Sequence, residues 1–161
     1  MPVSLRDITP EDDAFLREVY ASARAPEMAM VPWSDEQKAA FLKLQFDAQA
    51  SYYREQFPAA QFQVIMNSDA RVGRLYVLRT ADEIRIMDIT ILPDFRSQGI
   101  GAAIIKPLLD EAVGGNKRVT IWAESFNPSQ TLFRRLGFTL AQEDGFNHLL
   151  EFRPSARNLT S

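Results

Sequence analysis

The chain contains no cysteine, which excludes disulfides, a thiolate nucleophile and any cysteine-held metal, and fits a reducing cytoplasm. Histidine is nearly absent too. The one copy, His148, stands among apolar residues of a strand-like run and reads as a hydrogen-bonded or strand-surface ring, so no metal site is expected. No apolar stretch approaches the roughly 18 residues that span a bilayer, and the opening "MPVSLRDITPEDD" has no basic segment ahead of an apolar core. Neither a membrane anchor nor a secretory signal is expected. Basic blocks are missing, and a formal net charge of −3 argues against a protein that tracks nucleic-acid phosphates. Glycine is scarce at 7 of 161 residues, yet two of the seven, Gly99 and Gly101, fall where a helix should begin.

What is present is one domain's worth of alternating elements, residues 1–153, followed by a tail over 154–161 that reads as frayed. "VSLRDI" (3–8) alternates like a half-buried strand, and Thr9-Pro10-Glu11-Asp12 carries a helix cap, an N1 proline and acidic first-turn residues. "ARAPEMAMVPW" interrupts that helix with two prolines. Ser34 and Gln37 form a capping box for a second, long helix, with Phe41, Leu44, Ala48 and Tyr52 along one side. Runs at 61–66, 72–79 and 83–92, separated by turn residues, predict an antiparallel meander. A helix over 99–113 follows, with Pro107 inside it and Gly114-Gly115 ending it; then a strand (118–124), a short helix closed by Gly137, and a hairpin around Asp144-Gly145.

The glycine turn, "DFRSQGIGAAI", carries the chemistry. Glycine costs about 1 kcal/mol inside a helix, but at a helix start it lets a bulky group approach amides that have no intrahelical partner. With the dipole and Arg96 added, the natural occupant is a pyrophosphate. A strand-to-helix turn needing one left-handed residue also accounts for one glycine. A Walker loop needs Gly-Lys-Ser/Thr where Ala102-Ala103 follow Gly101, and a dinucleotide fingerprint needs a small residue where Ile104 stands.

Arg96-Ser97-Gln98-Gly99-Ile100-Gly101 resembles the Arg/Gln-x-x-Gly-x-Gly/Ala loop of the GNAT acyltransferases, and "NPSQTLFRRLGF" (127–138) is similar to that family's second motif. The element order over about residues 3–152 agrees with it. The resemblance implies an α/β (α+β) fold with a central, mostly antiparallel mixed sheet of about seven strands flanked by four helices. It further implies acetyl-CoA as cosubstrate, held by Ile89, Thr90, Ile91, Arg96, Ser97, Gln98, Gly99, Ile100, Gly101, Ala102, Asn127 and Phe133. The activity it implies is N-acetyl transfer to a primary amine, by direct attack in a ternary complex. A small-molecule amine comes first and a protein amine second. A homodimer paired through sheet edges is also implied.

Acyl transfer needs an unprotonated amine, and an amine with pKa of about 10.4 benefits from a carboxylate acting through water. Asp88 and Glu124 rank level as candidate bases, with Glu83 third. The family's frequent general acid, a tyrosine four residues before Gly-Phe, is replaced by Phe133, which has no proton to donate; Tyr76 and Tyr20 are the substitutes on offer. That replacement keeps open a second reading, a catalytically silent acyl-CoA-binding sensor or partner module. The resemblance places the acceptor wall at residues 24–53, where Trp33, Tyr52 and Tyr53, with Met28 and Met30, are the candidate lining.

Overall fold

A computed structural model describes residues 2–155 of the chain, so the expected frayed tail lies, from residue 156 onward, outside the described residues. Seven strands form one sheet in the order β1-β2-β3-β4-β5-β7-β6: β1 (Val3–Asp7), β2 (Gln61–Asn67), β3 (Ala70–Arg79), β4 (Glu83–Ile91), β5 (Arg118–Glu124), β6 (Thr139–Asp144) and β7 (Asn147–Phe152). Every neighbouring pair is antiparallel except β4 with β5. The four helices are α1 (Asp13–Ala29), α2 (Asp35–Gln56), α3 (Ile100–Gly115) and α4 (Ser129–Arg135). This is the expected mixed seven-stranded sheet with four helices.

Two apolar clusters hold the layers together. Ile65, Leu75, Ile84 and Ile86 face the α3 side, against Ile100, Ile104, Ile105, Leu108 and Phe133; Val64 on the other face packs with Phe15, Leu16, Val19, Tyr20 and Phe46 of α1 and α2. Burying a side chain of this size contributes roughly 1.5–3 kcal/mol, which makes these faces, rather than helix propensity, the main source of stability.

Local signals were followed unevenly. Asp12 closes the turn before α1, accepting from the Thr9 amide at 2.8 Å, and the Ser34–Gln37 box forms in both directions, at 2.9 and 3.1 Å. Pro26 does not interrupt α1: it lies in the last turn, where its missing N–H removes a single intrahelical bond. The α2 side that carries Leu44, Ala48 and Tyr52 faces outward, with Leu44 70% and Tyr52 55% exposed. The inward stripe is Leu42, Phe46, Gln49 and Tyr53, at i, i+4, i+7 and i+11. Both sides of this helix carry apolar residues, so periodicity alone could not choose. α3 runs through Gly114 and Gly115 and is capped by Asn116 in the left-handed region, φ 52°.

One bulge sets which way the site residues point. Tyr76 pairs with Asp88 while Val77 pairs with Ile86, so Met87 is the extra residue in β4. Since side chains alternate with period two, this insertion sends Asp88 to the α1/α2 face although Ile86 lies on the α3 face.

Candidate active site

The sheet splays beside that bulge. β5 pairs with β4 only from Glu83–Arg118 to Ile86–Ile121, and beyond them β5 bonds to β7 alone. From Met87 onward β4 therefore has a free edge, and half-buried Ile89, Thr90 and Ile91 line the opening. An open strand edge offers unpaired N–H and C=O groups to an extended ligand.

At the end of this edge is the glycine turn. Ala103 is the first residue of α3 whose amide finds a helical acceptor, Gly99 O at 3.1 Å. The amides of Ser97, Gln98, Gly99, Ile100, Gly101 and Ala102 have no protein acceptor among the described residues. Gly99 is in the left-handed region, φ 80°, and a Cβ built on it would meet nothing within 4 Å. The turn is thus an open cradle of donors at the positive end of a 16-residue helix. Gly101 answers a different need: a Cβ there would come within 2.9 Å of Leu132 Cδ2, so its small size lets α4 pack on the start of α3. Arg96 is exposed and donates to the Ile91 carbonyl at 3.0 Å, and the Ile100 side chain is a core anchor only 1% exposed.

Asp88 and Glu124 share a face, since Thr120, Trp122 and Glu124 alternate with the core-facing Val119, Ile121 and Ala123 along β5. The two carboxylates flank the splay on the α1/α2 side, yet differ in their commitments. Arg74 Nε donates to Asp88 Oδ2 at 2.6 Å, and the Thr90 hydroxyl donates to Asp88 Oδ1 at 2.9 Å. The Arg74 side chain, 3% exposed, also reaches Gln49 at 3.1 Å and the Tyr76 hydroxyl at 3.4 Å. Burial works against its charge, but Asp88 and Tyr76 outweigh burial and hold the guanidinium above its ordinary pKa. Glu124 is half-buried, and its carboxylate has no partner among the described residues. Its backbone carbonyl is pinned by the buried Gln130 of α4, Nε2 to O 2.8 Å, and the same amide lies 3.3 Å from His148 Nδ1. Glu83 stands at the start of β4, where it accepts from Thr120 at 2.6 Å and pairs with Arg118 at 3.7 Å, so its carboxylate is committed to these neighbours.

Several expected placements are corrected. Phe133 is sealed in the core at 1% exposure, edge-to-face with Phe138 at 5.3 Å, so its ring does not face the opening. The half-buried Asn127 side chain is engaged at the turn before α4, accepting from the Ser129 amide at 2.9 Å. Trp33 packs on Phe41 in the first turns of α2, twelve residues and about 18 Å along the helix before Tyr53, so the two rings are not in contact. Tyr52 points outward, and Met30 is 87% exposed. Of the three, Tyr53 alone reaches the floor, against Phe62 and Tyr76, and burial and the nearby Asp88 push its phenol pKa up. Tyr76 is buried; burial raises its pKa, with Asp88 adding and Arg74 opposing. Tyr20 donates to Gln45 at 3.4 Å. Sequence reasoning passed over Arg74, Gln49, Arg85 and Gln130. The one available signal was an arginine in the middle of the apolar runs "VGRLYV" and "EIRIM".

Comparison with known proteins adds to this geometry. Residues 30–156 match the family model described as "Acetyltransferase (GNAT) domain". The chain belongs to the GNAT acetyltransferase family. A search of curated proteins finds no match. Among solved structures, the GNAT-family chain is similar to the PaiA N-acetyltransferase of Thermoplasma acidophilum in complex with coenzyme A, at 15% identity and TM-score 0.72, covering 95% of this chain and 99% of that one. It is similar to the ribosomal-protein-S18-alanine N-acetyltransferase of Escherichia coli, at 16% identity and TM-score 0.64, covering 96% and 95%. A GNAT family acetyltransferase from Elizabethkingia anophelis with acetyl-CoA bound aligns at 14% identity and TM-score 0.56, covering 94% and 97%. At these identities the likeness is one of fold. Among the described residues no helix is long and apolar enough to cross a membrane.

Proposed function

We propose that this GNAT domain transfers the acetyl group of acetyl-CoA to a primary amine, by direct attack within a ternary complex. A small-molecule amine is favoured over a protein amine. The observation that carries the reading is the coincidence of an unpartnered amide cradle at Ser97–Ala102 with an open β4 edge that leads from it to two carboxylates. In this reading the amides of residues 97–102 and the Arg96 guanidinium hold the pyrophosphate, and the backbone of Ile89, Thr90 and Ile91 holds the pantetheine arm as an added strand. When bound, acetyl-CoA supplies the electrophilic thioester carbonyl. Glu124, uncommitted and beside the splay, takes the amine's proton through water. Asp88, neutralised by Arg74, shapes the floor instead. With Phe133 in the core, protonation of the departing sulfur falls to solvent. The same reading has the enzyme work in the cytoplasm, and two copies pair along a sheet edge, which sedimentation at micromolar concentration checks.

Calorimetric titration with acetyl-CoA, CoA and a fragment lacking the pyrophosphate, followed by an amine screen, tests this. Micromolar binding that weakens without the pyrophosphate, together with turnover, is expected. Absence of binding overturns the reading. Binding without turnover on any amine would favour the acyl-CoA sensor, to which the buried Phe133 lends support.

A further inference from the structure

Six arginines are buried or half-buried, and five of them face a carboxylate: Arg6 on Asp12, Arg17 on Asp13, Arg24 on Glu27, Arg74 on Asp88 and Arg118 on Glu151. Arg85 is the sixth. Among the described residues it has neither an ion pair nor a hydrogen bond, and its guanidinium lies over the Phe57 ring, 5.5 Å from the centroid. Stacking holds such a group flat while leaving its forked N–H edge open to an anion.

Its position makes this pertinent to the acceptor. Phe57 caps the C-terminal end of α2, so Arg85 points to the α2 side of the sheet, the side of Asp88 and Glu124. It pairs in register with Thr120 at the last paired stretch before the splay, three residues ahead of Asp88 and so within about 10 Å along the strand. Phe57, under Arg85, meets the Tyr53 ring edge-on at 6.3 Å, and Tyr53 meets Tyr76, whose hydroxyl Arg74 reaches, so one aromatic floor joins Arg85 to the Arg74–Asp88 pair. The neighbouring carboxylates are engaged elsewhere. Asp88 is taken by Arg74; Glu83, two residues away, by Thr120 and Arg118; Glu151 by Arg118 and Arg153. The floor thus keeps one uncompensated positive charge on the same face as the uncommitted Glu124, which stands four residues beyond Thr120, about 13 Å along β5.

We propose that Arg85 binds a carboxylate carried by the acceptor itself, so that the acceptor class is an amino acid or another amine bearing a carboxylate, rather than an alkylamine or polyamine. This rests on the acetyl-transfer reading above. A cationic acceptor without an acidic group would meet Arg85 as a repelling charge, whereas an amino carboxylate would place its amine toward Glu124 and its acid on the guanidinium.

The test uses matched probes: L-phenylalanine with 2-phenylethylamine, L-leucine with 3-methylbutylamine, and 4-aminobutanoate with butylamine. In the wild-type protein with acetyl-CoA, the carboxylate member of at least one pair is expected to have tenfold or greater advantage in kcat/KM. Arg85→Gln should erase that advantage through KM, and Arg85→Lys should restore part of it. Equal turnover within every pair, or an advantage that survives Arg85→Gln, overturns the proposal. Acetyl-CoA titration reports whether each variant remains folded. Calorimetric binding of the same probes to the CoA-loaded protein separates the two readings. Arg85-dependent carboxylate binding without turnover would retain the anion subsite and remove the transferase. Turnover of plain amines with no carboxylate preference would do the reverse, and no carboxylate binding at all removes the subsite.

Discussion

Arg74 and Asp88 bridge β3 and β4, a buried guanidinium on a half-buried carboxylate, Nε to Oδ2 2.6 Å, and Thr90 closes the second carboxylate oxygen. Two carboxylates that look equivalent in the sequence are thereby given different surroundings: Asp88 is held as a counter-ion, whereas the Glu124 carboxylate has no partner among the described residues.

Asp88→Asn should therefore act on stability first. It leaves Arg74 buried without its counter-charge, and a loss of about 3–5 kcal/mol is expected in urea unfolding. Replacing Arg74 and Asp88 together with apolar residues of similar volume should recover much of that loss, which an Asp88 acting only as a base would not.

Glu124→Gln should act on rate instead. The carboxylate has no partner among the described residues, so unfolding free energy should change by less than about 0.5 kcal/mol. Turnover at neutral pH should fall by about 10²-fold or more. The deficit should shrink at high pH, where the amine loses its proton unaided; a pH-independent deficit would indicate a positioning role.

Gly99→Val should weaken acetyl-CoA binding at least tenfold by calorimetry. The position sits at φ 80° with empty space around it, so the branched side chain projects into the cradle and the backbone pays about 1–2 kcal/mol of strain. Unchanged affinity in a folded variant would remove the cradle.

Phe133→Tyr should not create a general acid. The new hydroxyl would lie in the core against Phe138 without a partner, and an unsatisfied buried hydroxyl costs about 1–3 kcal/mol. A lower melting temperature with no gain in kcat is expected; a large gain in kcat would mean that the helix turns its ring to the site.

Acid should unfold the protein partly through Asp12. Hydrogen bonding from Arg6 outweighs burial, and the Thr9 amide and Arg71 add to it, holding this carboxyl well below the usual carboxylate range. A depressed folded pKa contributes stability that is complete above the unfolded value of about 3.9 and is lost as pH falls toward the folded one. The loss, on the order of 2–3 kcal/mol, should appear below about pH 4 and be absent from the acid limb of Asp12→Asn, which lacks that stability at every pH.

Much of this was legible locally. The Ser34–Gln37 box, the Gly99 helix start and the turn at Asp144-Gly145 each depend on a few adjacent residues whose steric and hydrogen-bonding needs are met within one turn of chain, and all three formed as read. The element order and the phosphate-type cradle follow from such signals. Phe133, the α2 stripe, Trp33 and the ranking of Asp88 against Glu124 were not legible, because each depends on what a distant segment places opposite. The Met87 bulge, which turns Asp88 across the sheet, is set by pairing with β3; the lack of a counter-ion at Arg85 is set by carboxylates that β3, β5 and Arg153 claim. The sequence by itself determined where the chain turns and where it exposes amides. Which side chains meet, and which charge is left without a partner, was decided only by tertiary structure, since pairing and burial are properties of contacts between residues far apart in the chain.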